Sequence, residues 1–548
     1  MTDPTIPPTR PSGRIPPGFA HEPAPRSPGS AAAGLRMAAG IWMLGGQRID
    51  RSPAGPRLWD LPLSPSARAE AQAMVWLDDL AAVGGIGARQ AAQAAVFAWI
   101  DRDQGDGWPI GDIARDPAVT GQRLLRWLHH AGFLTQHRRK DDQRRFAAAL
   151  DRQLRDLAIR ADRAAPGLPR AQALAALICG AVLIQGAGDL LAEASAGFQA
   201  NIPDLIDATG GIASRSPGDL LAAFELLVWT ADALSMAGHV AGPAHLDALS
   251  RTAPVLRGLR LADGRLARFH GGVRGARGRL DHALADSGLR GPASAQPMGF
   301  VRLAAGRSVL VMDAAAPPDT APEGQASTLG FEMSSGGRML IVTGGEGARF
   351  GPAWGRAVRA TAMHSAPGIA GLASSRAAAA GGALIERPAR VWLDQPDPTS
   401  GDHAAVAGHD GYGASHGLAV VRSLTLSDDG TRLDGADGFA PLPGQTPEDG
   451  AVAELRFHLP PGVQAAADVD GLGATIRLPA TEDGALPDEF WRLTHDGSAR
   501  LTLEPGAALE GGADAPEPGL QIVLRAPVAG GDCRIGWTLA RSGVTPRA

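Results

Sequence analysis

The spacing of apolar residues divides the chain into two parts with different periods. From about residue 34 to residue 290, apolar side chains recur at every third and fourth position, which is the period of helices that bury one face. The stretch 168–191 is apolar nearly all round, as a helix packed between other helices would be. Successive helices with short links predict helical hairpins packed in a ring or an array.

After Gly291 the pattern changes to an alternation of apolar and polar residues in short runs, separated by Gly, Asp and Pro turns. Such alternation is typical of half-buried strands. The segments SDDGT (427–431) and HDGSA (495–499) carry the Asp-Gly signal of a β-hairpin. The second part is therefore predicted to be an antiparallel sandwich or layered sheet, with the boundary at residues 288–298.

Two helix starts follow from capping residues. Thr120 is the predicted N-cap of a helix over 120–133, with Gly132 near its end. Ser216 is a second predicted N-cap, followed by Pro217 at the first helical position, where proline is favoured. The Arg-rich stretch 141–163 predicts a long amphipathic helix with a solvated charged face.

The start of the chain has a different composition. It is dense in Pro and polar residues and has no apolar run of the length that a signal peptide needs. We expect a disordered tail over 1–33, because such a segment buries too little surface to offset its ordering entropy. A helical domain over 34–290 and a sandwich domain over 291–548 follow. The absence of a signal peptide favours the cytoplasm by default, with the periplasm as the alternative.

Composition and charge narrow the partners. The net charge of −5 is small for 548 residues, so nucleic acid is not an expected partner. The longest apolar stretch, 171–187, is too short and too interrupted for a membrane span, and we expect no membrane insertion. Two distant cysteines, Cys179 and Cys533, make no disulfide framework. P-loop, HExxH and paired CxxC motifs are absent from the sequence, and the oligomeric state stays open.

Three stretches, in this order, resemble the heparinase II/III family. The first is DPAVTGQRLLRWLHHAGFL (116–134), and the second runs from GGIASRSPGDLL (210–221) to LARFHGG (266–272). The third comprises STLGFEMSSGGRMLIV (327–342), RATAMHS (359–365) and HDGYGASHGLAVVRSLTLSDDGTRLDG (409–435). The resemblance covers most of the chain after residue 34. It implies an α+β multidomain fold, with an N-terminal incomplete (α/α) toroid followed by a C-terminal antiparallel β-sandwich.

The resemblance also implies a reaction, β-elimination at a uronic acid of an acidic polysaccharide. That reaction needs a group that neutralises the uronate carboxylate, a base that removes the C5 proton and an acid that protonates the departing O4. The residues that the resemblance and their chemistry single out are His364, Tyr412, His409 and His270 as catalytic candidates, and Arg215, Arg268, Arg126 and His130 as substrate-binding candidates.

Each catalytic candidate has a structural alternative. His364 is either a cleft residue or a satisfied structural histidine. His409 and Tyr412 lie three apart, which places them on opposite faces of a strand unless a turn brings them together; the alternative is a loop that organises the sandwich surface. His270 stands where the family carries Asn, so it either binds a carboxylate or hydroxyl in the cleft or is solvated or caps a helix.

The substrate-binding candidates have alternatives as well. Arg215 suits a substrate carboxylate because a guanidinium forks onto two oxygens. Arg126 and His130 lie four apart and share one helix face, whereas Trp127 between them is assigned to the core. Arg268 is either a cleft residue or a solvated one.

The sequence departs from the family at several functional positions. Ile212 stands where many relatives carry His, and Tyr412 is the only tyrosine of the chain, so the helical half supplies none. The resemblance implies a metal held by two His and an Asp. At those positions the stretch 323–327 has no histidine, the Asp position is Thr343, and His364 alone remains. One imidazole with an amide and a hydroxyl makes a poor zinc site, so we expect no zinc and no other cofactor.

These observations support three hypotheses. The first is a polysaccharide lyase-like protein with a degenerate active site that acts on a uronate-containing acidic polysaccharide. The alternative is a catalytically inactive homologue that binds acidic glycan within the cell-envelope polysaccharide machinery. The third is an enzyme with a different set of groups, centred on His270, His364, His409 and Tyr412.

Overall fold

The computed structural model describes residues 18–542 except 52–56, 104–111, 379–381, 395–402, 483, 510–512, 514 and 531. Its first part contains a hairpin of β1 (Ile41–Leu44) and β2 (Gln47–Asp50) among helices. The helices are α1 (Ala31–Ala38), α2 (Pro65–Ala73), α3 (Trp76–Val83), α4 (Ile86–Asp103), α5 (Pro117–His129), α6 (Ala131–Thr135), α7 (Lys140–Arg160), α8 (Leu168–Leu183), α9 (Leu191–Leu205), α10 (Pro217–Met236), α11 (Pro243–Gly258) and α12 (Arg279–Asp286).

Helix α8, most of whose residues are buried, lies at the centre of this part, in contact with α5, α7, α9 and α10. Gly121 of α5 permits a close approach to α8, because a Cβ at this position would lie 2.4 Å from the carbonyl oxygen of Gln172. Trp127 is fully buried, in agreement with its assignment to the core. No helix among the described residues combines the length and the apolarity that a membrane crossing requires.

Two predicted helix starts have different outcomes. Ser216 caps α10 as expected, with its hydroxyl accepting the N–H of Asp219. The prediction for Thr120 is wrong: α5 begins one turn earlier, where Asp116 accepts the N–H groups of Ala118 and Val119. A carboxylate followed by proline at the first position is the stronger start.

The beginning of the chain also differs from expectation. Residues 1–17 of the predicted tail lie outside the described residues. From Gly18 onward the chain packs on the helical part: Phe19 is buried and bridges to Ile184, and the Ala20 N–H donates to the Leu183 carbonyl at 2.8 Å. One buried aromatic ring and strand-like pairing are enough to fix this Pro-rich segment as far as α1.

Strands dominate the second part. They are β3 (Phe300–Ala305), β4 (Ser308–Asp313), β5 (Phe331–Ser335), β6 (Arg338–Ile341), β7 (Pro367–Ile369), β8 (Arg376–Ala377), β9 (Leu384–Glu386), β10 (Val391–Asp394), β11 (His403–Tyr412), β12 (Leu418–Leu426), β13 (Arg432–Pro441), β14 (Val452–His458), β15 (Gln464–Ala467), β16 (Gly473–Leu478), β17 (Glu489–His495), β18 (Arg500–Ala508), β19 (Glu517–Pro527) and β20 (Cys533–Ser542). Two short helices, α13 (Pro352–Ala357) and α14 (Gly413–His416), interrupt them.

Within the described residues the long strands form three antiparallel sheets. Their orders are β10-β11-β12-β13-β20-β17-β16-β15, β18-β19-β14-β7 and β3-β4-β5-β6. The Asp-Gly segment 427–431 joins β12 to its partner β13, as predicted. The hairpin predicted at 495–499 is wrong, because β17 pairs with β16 and β20 whereas β18 pairs with β19. A turn signal fixes a local reversal of the chain but not the sheet that the next strand joins.

The predicted fold class is confirmed: helices form the first part and antiparallel strands the second. The apolar core of the helical part continues onto the first sheet, where Phe300 and Val311 belong to it. A separate core lies between the layers of the sandwich, with Trp491 and Trp537 among its largest side chains. The sheet β3-β4-β5-β6 is therefore the layer that joins the two parts.

The pairing of β13 with β20 yields a first prediction. A Cβ at Gly435 would lie 2.1 Å from the indole ring of Trp537, whereas a Cβ at Gly438 on the same strand would meet nothing within 4 Å. Gly435→Ala is expected to lower the free energy of unfolding by about 1–3 kcal/mol through overpacking. Gly438→Ala is the matched control and is expected to change it by less than about 1 kcal/mol. Denaturant titration measures both, and equal effects would contradict the close packing.

Candidate functional site

The junction between the helical part and the sandwich is polar. Direct hydrogen bonds connect the two parts there. The loops that follow α9 and α11 meet β4, β5 and the segment 313–330. The Ala262 N–H donates to Ser334 Oγ at 2.8 Å, and Thr343 Oγ1 donates to the Arg268 carbonyl at 3.1 Å. Several of the residues singled out in the sequence lie at this junction.

One buried group, the Asp313 cluster, consists of Arg215, His270, Asp313, Gln325 and Ser327. Asp313 ends β4 and is inaccessible to solvent. Its carboxylate lies 2.6 Å from Arg215 Nη2, accepts the Ser327 hydroxyl at 2.6 Å, and lies 3.3 Å from His270 Nε2. Two residues from helical-part loops thus converge on one carboxylate of the sandwich.

Arg215 is held by more than its ion pair. Its guanidinium also donates to the carbonyls of Met298 at 3.2 Å and Ala316 at 2.8 Å, and it lies over the ring of Phe300 at 4.6 Å. The residue has a φ of +52°, which a residue with a Cβ adopts only when its surroundings enforce it. Arg215 is therefore fixed in the junction, although its side chain keeps 12% exposure.

His270 and Gln325 are joined by two hydrogen bonds. Its backbone N–H donates to Gln325 Oε1 at 2.7 Å, and the Gln325 N–H donates to His270 Nδ1 at 3.2 Å. This pattern assigns the imidazole proton to Nε2, which faces Asp313. Burial lowers the pKa of His270 below its usual value, although the hydrogen bond to Asp313 opposes that shift.

The carboxylate of Asp313 is stabilised in its charged form. Burial alone would raise its pKa, but the Arg215 guanidinium and the hydrogen bonds from His270 and Ser327 hold the pKa of Asp313 well below its usual range. The cluster therefore contains a permanent ion pair at neutral pH, with a neutral imidazole beside it.

A second buried group, the Glu332 cluster, consists of Asp263, Arg268, Arg274, Glu332 and Thr343. Arg268 Nε lies 3.2 Å from Glu332 Oε1, and Arg274 Nη2 lies 3.3 Å from Glu332 Oε2. Arg274 also reaches Asp263 at 3.3 Å, and Arg268 donates to the Thr343 carbonyl at 2.9 Å. Glu332 is on β5, so this cluster too ties helical-part loops to the first sheet.

The other two substrate-binding candidates, Arg126 and His130, lie in the helical part. Arg126 and His130 of α5 share a face, as predicted, and both contact Asp78 of α3, at 3.2 and 2.7 Å. Burial alone would raise the pKa of Asp78, but Arg126 and His130 hold it well below its usual range. All three side chains are at most 8% exposed, and they join α3 to α5.

The other catalytic candidates are buried in the sandwich. His364, His409 and Tyr412 are each at most 1% exposed. A register shift in β11 places the rings of His409 and Tyr412 5.9 Å apart, so an irregularity of the strand brings them together. Burial lowers the pKa of His364 to about 3 and that of His409 to about 4, and raises the pKa of Tyr412 to about 12.

The positions that the resemblance assigns to a metal make other contacts. Gln325 is bonded to His270, and Thr343 Oγ1 lies 3.2 Å from Glu332 Oε1. His364 donates a hydrogen bond from Nε2 to the Val358 carbonyl at 3.0 Å. Only its Nδ1 atom is left as a possible metal ligand. Within the described ranges no group of three or more His, Cys, Asp or Glu side chains is placed to hold a metal ion. This donor set does not fit zinc, and the absence of a cofactor stays a prediction.

Two carboxyls at the junction were not singled out in the sequence. Burial raises the pKa of Asp79 to about 7 against the hydrogen bond that it accepts from the Ser30 N–H, and burial raises the pKa of Glu346 to about 7 against the nearby charge of Arg349. Asp79 is on α3 and Glu346 follows β6, so no sequence spacing connects them. Only the packing of the two parts around Arg349 reveals their shared environment.

Comparisons with known proteins agree with this architecture. The family model described as "Heparinase II/III-like, C-terminal" matches residues 287–538. The crystal structure of Heparinase III has a TM-score of 0.66 at 10% identity and covers 95% of this chain and 86% of that one. A mutant of the heparan sulfate lyase HepC from Pedobacter heparinus has a TM-score of 0.58 at 11% identity, with coverages of 94% and 83%.

A curated relative comes from Caulobacter vibrioides (strain NA1000 / CB15N) and is named FtsZ-localized protein C. It is 30% identical over 400 residues, which are 69% of this chain and 66% of the relative, just under two thirds of its length. At 10–11% identity the solved structures show the fold, a helical part followed by an antiparallel sandwich. The match of the family model to residues 287–538, together with the folds of the solved heparinases, confirms the resemblance to the heparinase II/III family that the sequence motifs indicated.

The buried histidines yield a pH prediction. The pKa of His409 is about 4 in the folded protein and 6.5 in its ordinary state. The stability that depends on neutral His409 is therefore fully present above pH 6.5 and is lost as the pH falls toward 4. Between pH 7 and pH 5 the wild type should lose about 2 kcal/mol more than His409→Gln.

The comparison is made between variants because Asp79 and Glu346 bind protons over the same range in the folded state, with the opposite effect on stability. Val420→Ala is the control: Val420 pairs with His409 on β12, is buried and does not titrate. Denaturant unfolding at pH 7, 6 and 5 measures the three proteins. An identical pH slope for wild type and His409→Gln would refute the assignment.

Proposed function

We propose that this protein is a catalytically inactive heparinase-like protein that binds acidic glycan as part of the cell-envelope polysaccharide machinery. The observation that carries the proposal is the internal pairing of the two candidate cations at the junction. Arg215 is paired with Asp313, and Arg268 is paired with Glu332, and both carboxylates are inaccessible to solvent. The binding role is the alternative that the sequence already left open.

The pairing bears directly on the first demand of β-elimination. A uronate carboxylate must be neutralised before its C5 proton becomes acidic, and a cation does this only if its charge is available to the substrate. Removing the partner carboxylates from Arg215 and Arg268 would leave buried charges unpaired, which is strongly unfavourable. Both cations are thus committed to joining the two parts of the fold, which argues against elimination at this place.

The second demand, a base and an acid near the sugar, is met no better by the candidates. His270 uses Nδ1 as the acceptor from the Gln325 N–H, and its Nε2 faces Asp313. Ile212 is buried and has no proton to exchange. His409 and Tyr412 lie inside the sandwich, away from any polymer on the surface. These contacts support a protein that has kept the family's fold and has lost its chemistry.

Residual lyase activity is a second candidate, favoured by Asp79 and Glu346. A pKa near 7 suits a group that must both take and give a proton at neutral pH. Both carboxyls lie near Arg349, a cation outside the Asp313 and Glu332 clusters. Under this second hypothesis Glu346 acts as the acid or base, and Arg349 neutralises the carboxylate of the uronate.

An activity and binding assay separates the two candidates. The chain is incubated with alginate, heparin and hyaluronan while the absorbance of the unsaturated uronate product is followed, and binding to each is measured by calorimetry. We expect binding to at least one polysaccharide and no rise in absorbance, because Arg215 and Arg268 are both paired with buried carboxylates of the protein. A rise that Glu346→Gln abolishes, and that the exposed control Glu193→Gln on α9 leaves intact, would establish the lyase instead. No binding to any of the three would defeat the glycan proposal.

The Caulobacter relative supports one further proposal, that this chain also associates with FtsZ. We expect the purified chain to co-sediment with FtsZ of Caulobacter vibrioides polymerised by GTP, and to stay in the supernatant with unpolymerised FtsZ. Serum albumin is the control for trapping in the pellet. A chain that remains in the supernatant with excess polymer would refute this association and would leave the glycan proposal untouched.

A further inference from the structure

A pocket of about 270 Å³ lies inside the helical part, where the end of α4, the start of α5 and the second half of α7 converge. Its charged lining consists of Asp103, Arg115, Arg123, Arg152, Asp156 and Arg160. No residue of the sandwich lines it, so the pocket is separate from the Asp313 and Glu332 clusters. Pockets for drug-sized ligands usually begin at about 300 Å³, which limits this one to a small molecule.

The lining has more positive than negative charge. Arg152 is paired with Asp103, and Arg160 is paired with Asp156. Arg115 and Arg123 have no carboxylate partner among the described residues, and so two cations remain uncompensated. A pocket with this balance attracts anions.

Arg123 is the unusual member, because it is a buried cation with only neutral partners. It is 2% exposed, and its guanidinium donates to Gln153 Oε1 at 2.9 Å and to the carbonyls of Gln72 at 3.0 Å and Ala114 at 2.9 Å. Burial lowers the pKa of Arg123 to about 9, although the nearby charges of Asp103 and Asp156 oppose that shift, which reflects the unfavourable free energy of a buried charge with no carboxylate bonded to it. An anion in the pocket would remove that penalty.

Arg160 has an unused donor at the same place. Its Nε and Nη2 atoms contact the carboxylate of Asp156, whereas its Nη1 atom is buried without a hydrogen-bond partner. A buried donor without an acceptor is unfavourable by about 1–3 kcal/mol, and a bound oxyanion would satisfy it. The pocket therefore combines an uncompensated buried cation with an unsatisfied cationic donor.

We propose that this pocket is a binding site for a small oxyanion, a phosphate or a carboxylate group on a molecule no larger than a monosaccharide. The anion accepts from Arg160 Nη1 and lies near Arg123, with Arg115 at the outer side of the pocket, where it is exposed. Guanidinium groups recognise phosphate and carboxylate by the same two-oxygen geometry, so one site serves either. The site is independent of the proposed function at the junction.

Calorimetry on the full chain tests the site with three probes: inorganic phosphate, glucuronate and uncharged glucose. We expect saturable binding of phosphate, of glucuronate or of both, and none of glucose. Arg160→Gln should weaken that binding at least about tenfold, the effect of one charged hydrogen bond. Arg155→Gln is the matched control, since Arg155 also pairs with an aspartate four residues earlier, Asp151, on α7 but does not line the pocket.

Arg115→Gln is a second variant, because exposed Arg115 can be replaced without disturbing the helix packing. It should also weaken binding, and it keeps the test decisive if Arg160→Gln does not fold. Preference for phosphate or for glucuronate identifies the ligand's anionic group. No binding of either anion, or equal weakening by Arg155→Gln and by the two pocket variants, would overturn the proposal.

Discussion

Two buried ion pairs link the helical part of the molecule to the sandwich. Arg215 with Asp313, and Arg268 with Glu332, each join a loop of the helical part to a strand of the first sheet. Breaking a buried pair from one side leaves an uncompensated charge, typically at a loss of about 3–5 kcal/mol. Apolar contacts, such as those of Phe300 with the helical core, add buried area at this junction, but they do not by themselves set the orientation of the two parts. The charges therefore give direction to the contact between the sheet β3-β4-β5-β6 and the helical part.

In both pairs the cation faces a carboxylate of the protein, and this bears on what a catalytic site would require. An elimination site needs cations that can pair with the carboxylate of the substrate. A stable junction needs cations that pair with carboxylates of the protein itself. In this chain Arg215 and Arg268 satisfy the second requirement, and the positive φ of both Arg215 and His270 shows that the backbone is held in place for those contacts. Arg215 and Arg268 are thus positioned for contacts within the protein.

The sequence predicted what depends on local patterns and missed what depends on distant partners. The change of period near residue 290, the cap at Ser216 and the shared face of Arg126 and His130 all follow from neighbours within a few positions. The partners Asp313 and Glu332 lie 98 and 64 residues from the arginines that they bind, and no spacing rule reaches that far. The failed hairpin at 495–499 has the same cause, because the sheet that β18 joins is decided by packing. The candidate residues could be named from motifs, but their burial could not.

In this protein two buried carboxyls, and not the buried histidines His364 and His409, have a pKa near neutral pH. Histidine is usually the side chain that titrates near neutral pH, yet burial keeps His364 and His409 neutral far below that range. Asp79 and Glu346, which are ordinarily charged at pH 7, are the groups whose pKa lies close to it. Protonation of these two carboxyls changes the charge around Arg349 within the physiological range. These carboxyls should therefore oppose an acidic ligand near Arg349 above pH 7 and do so less below it.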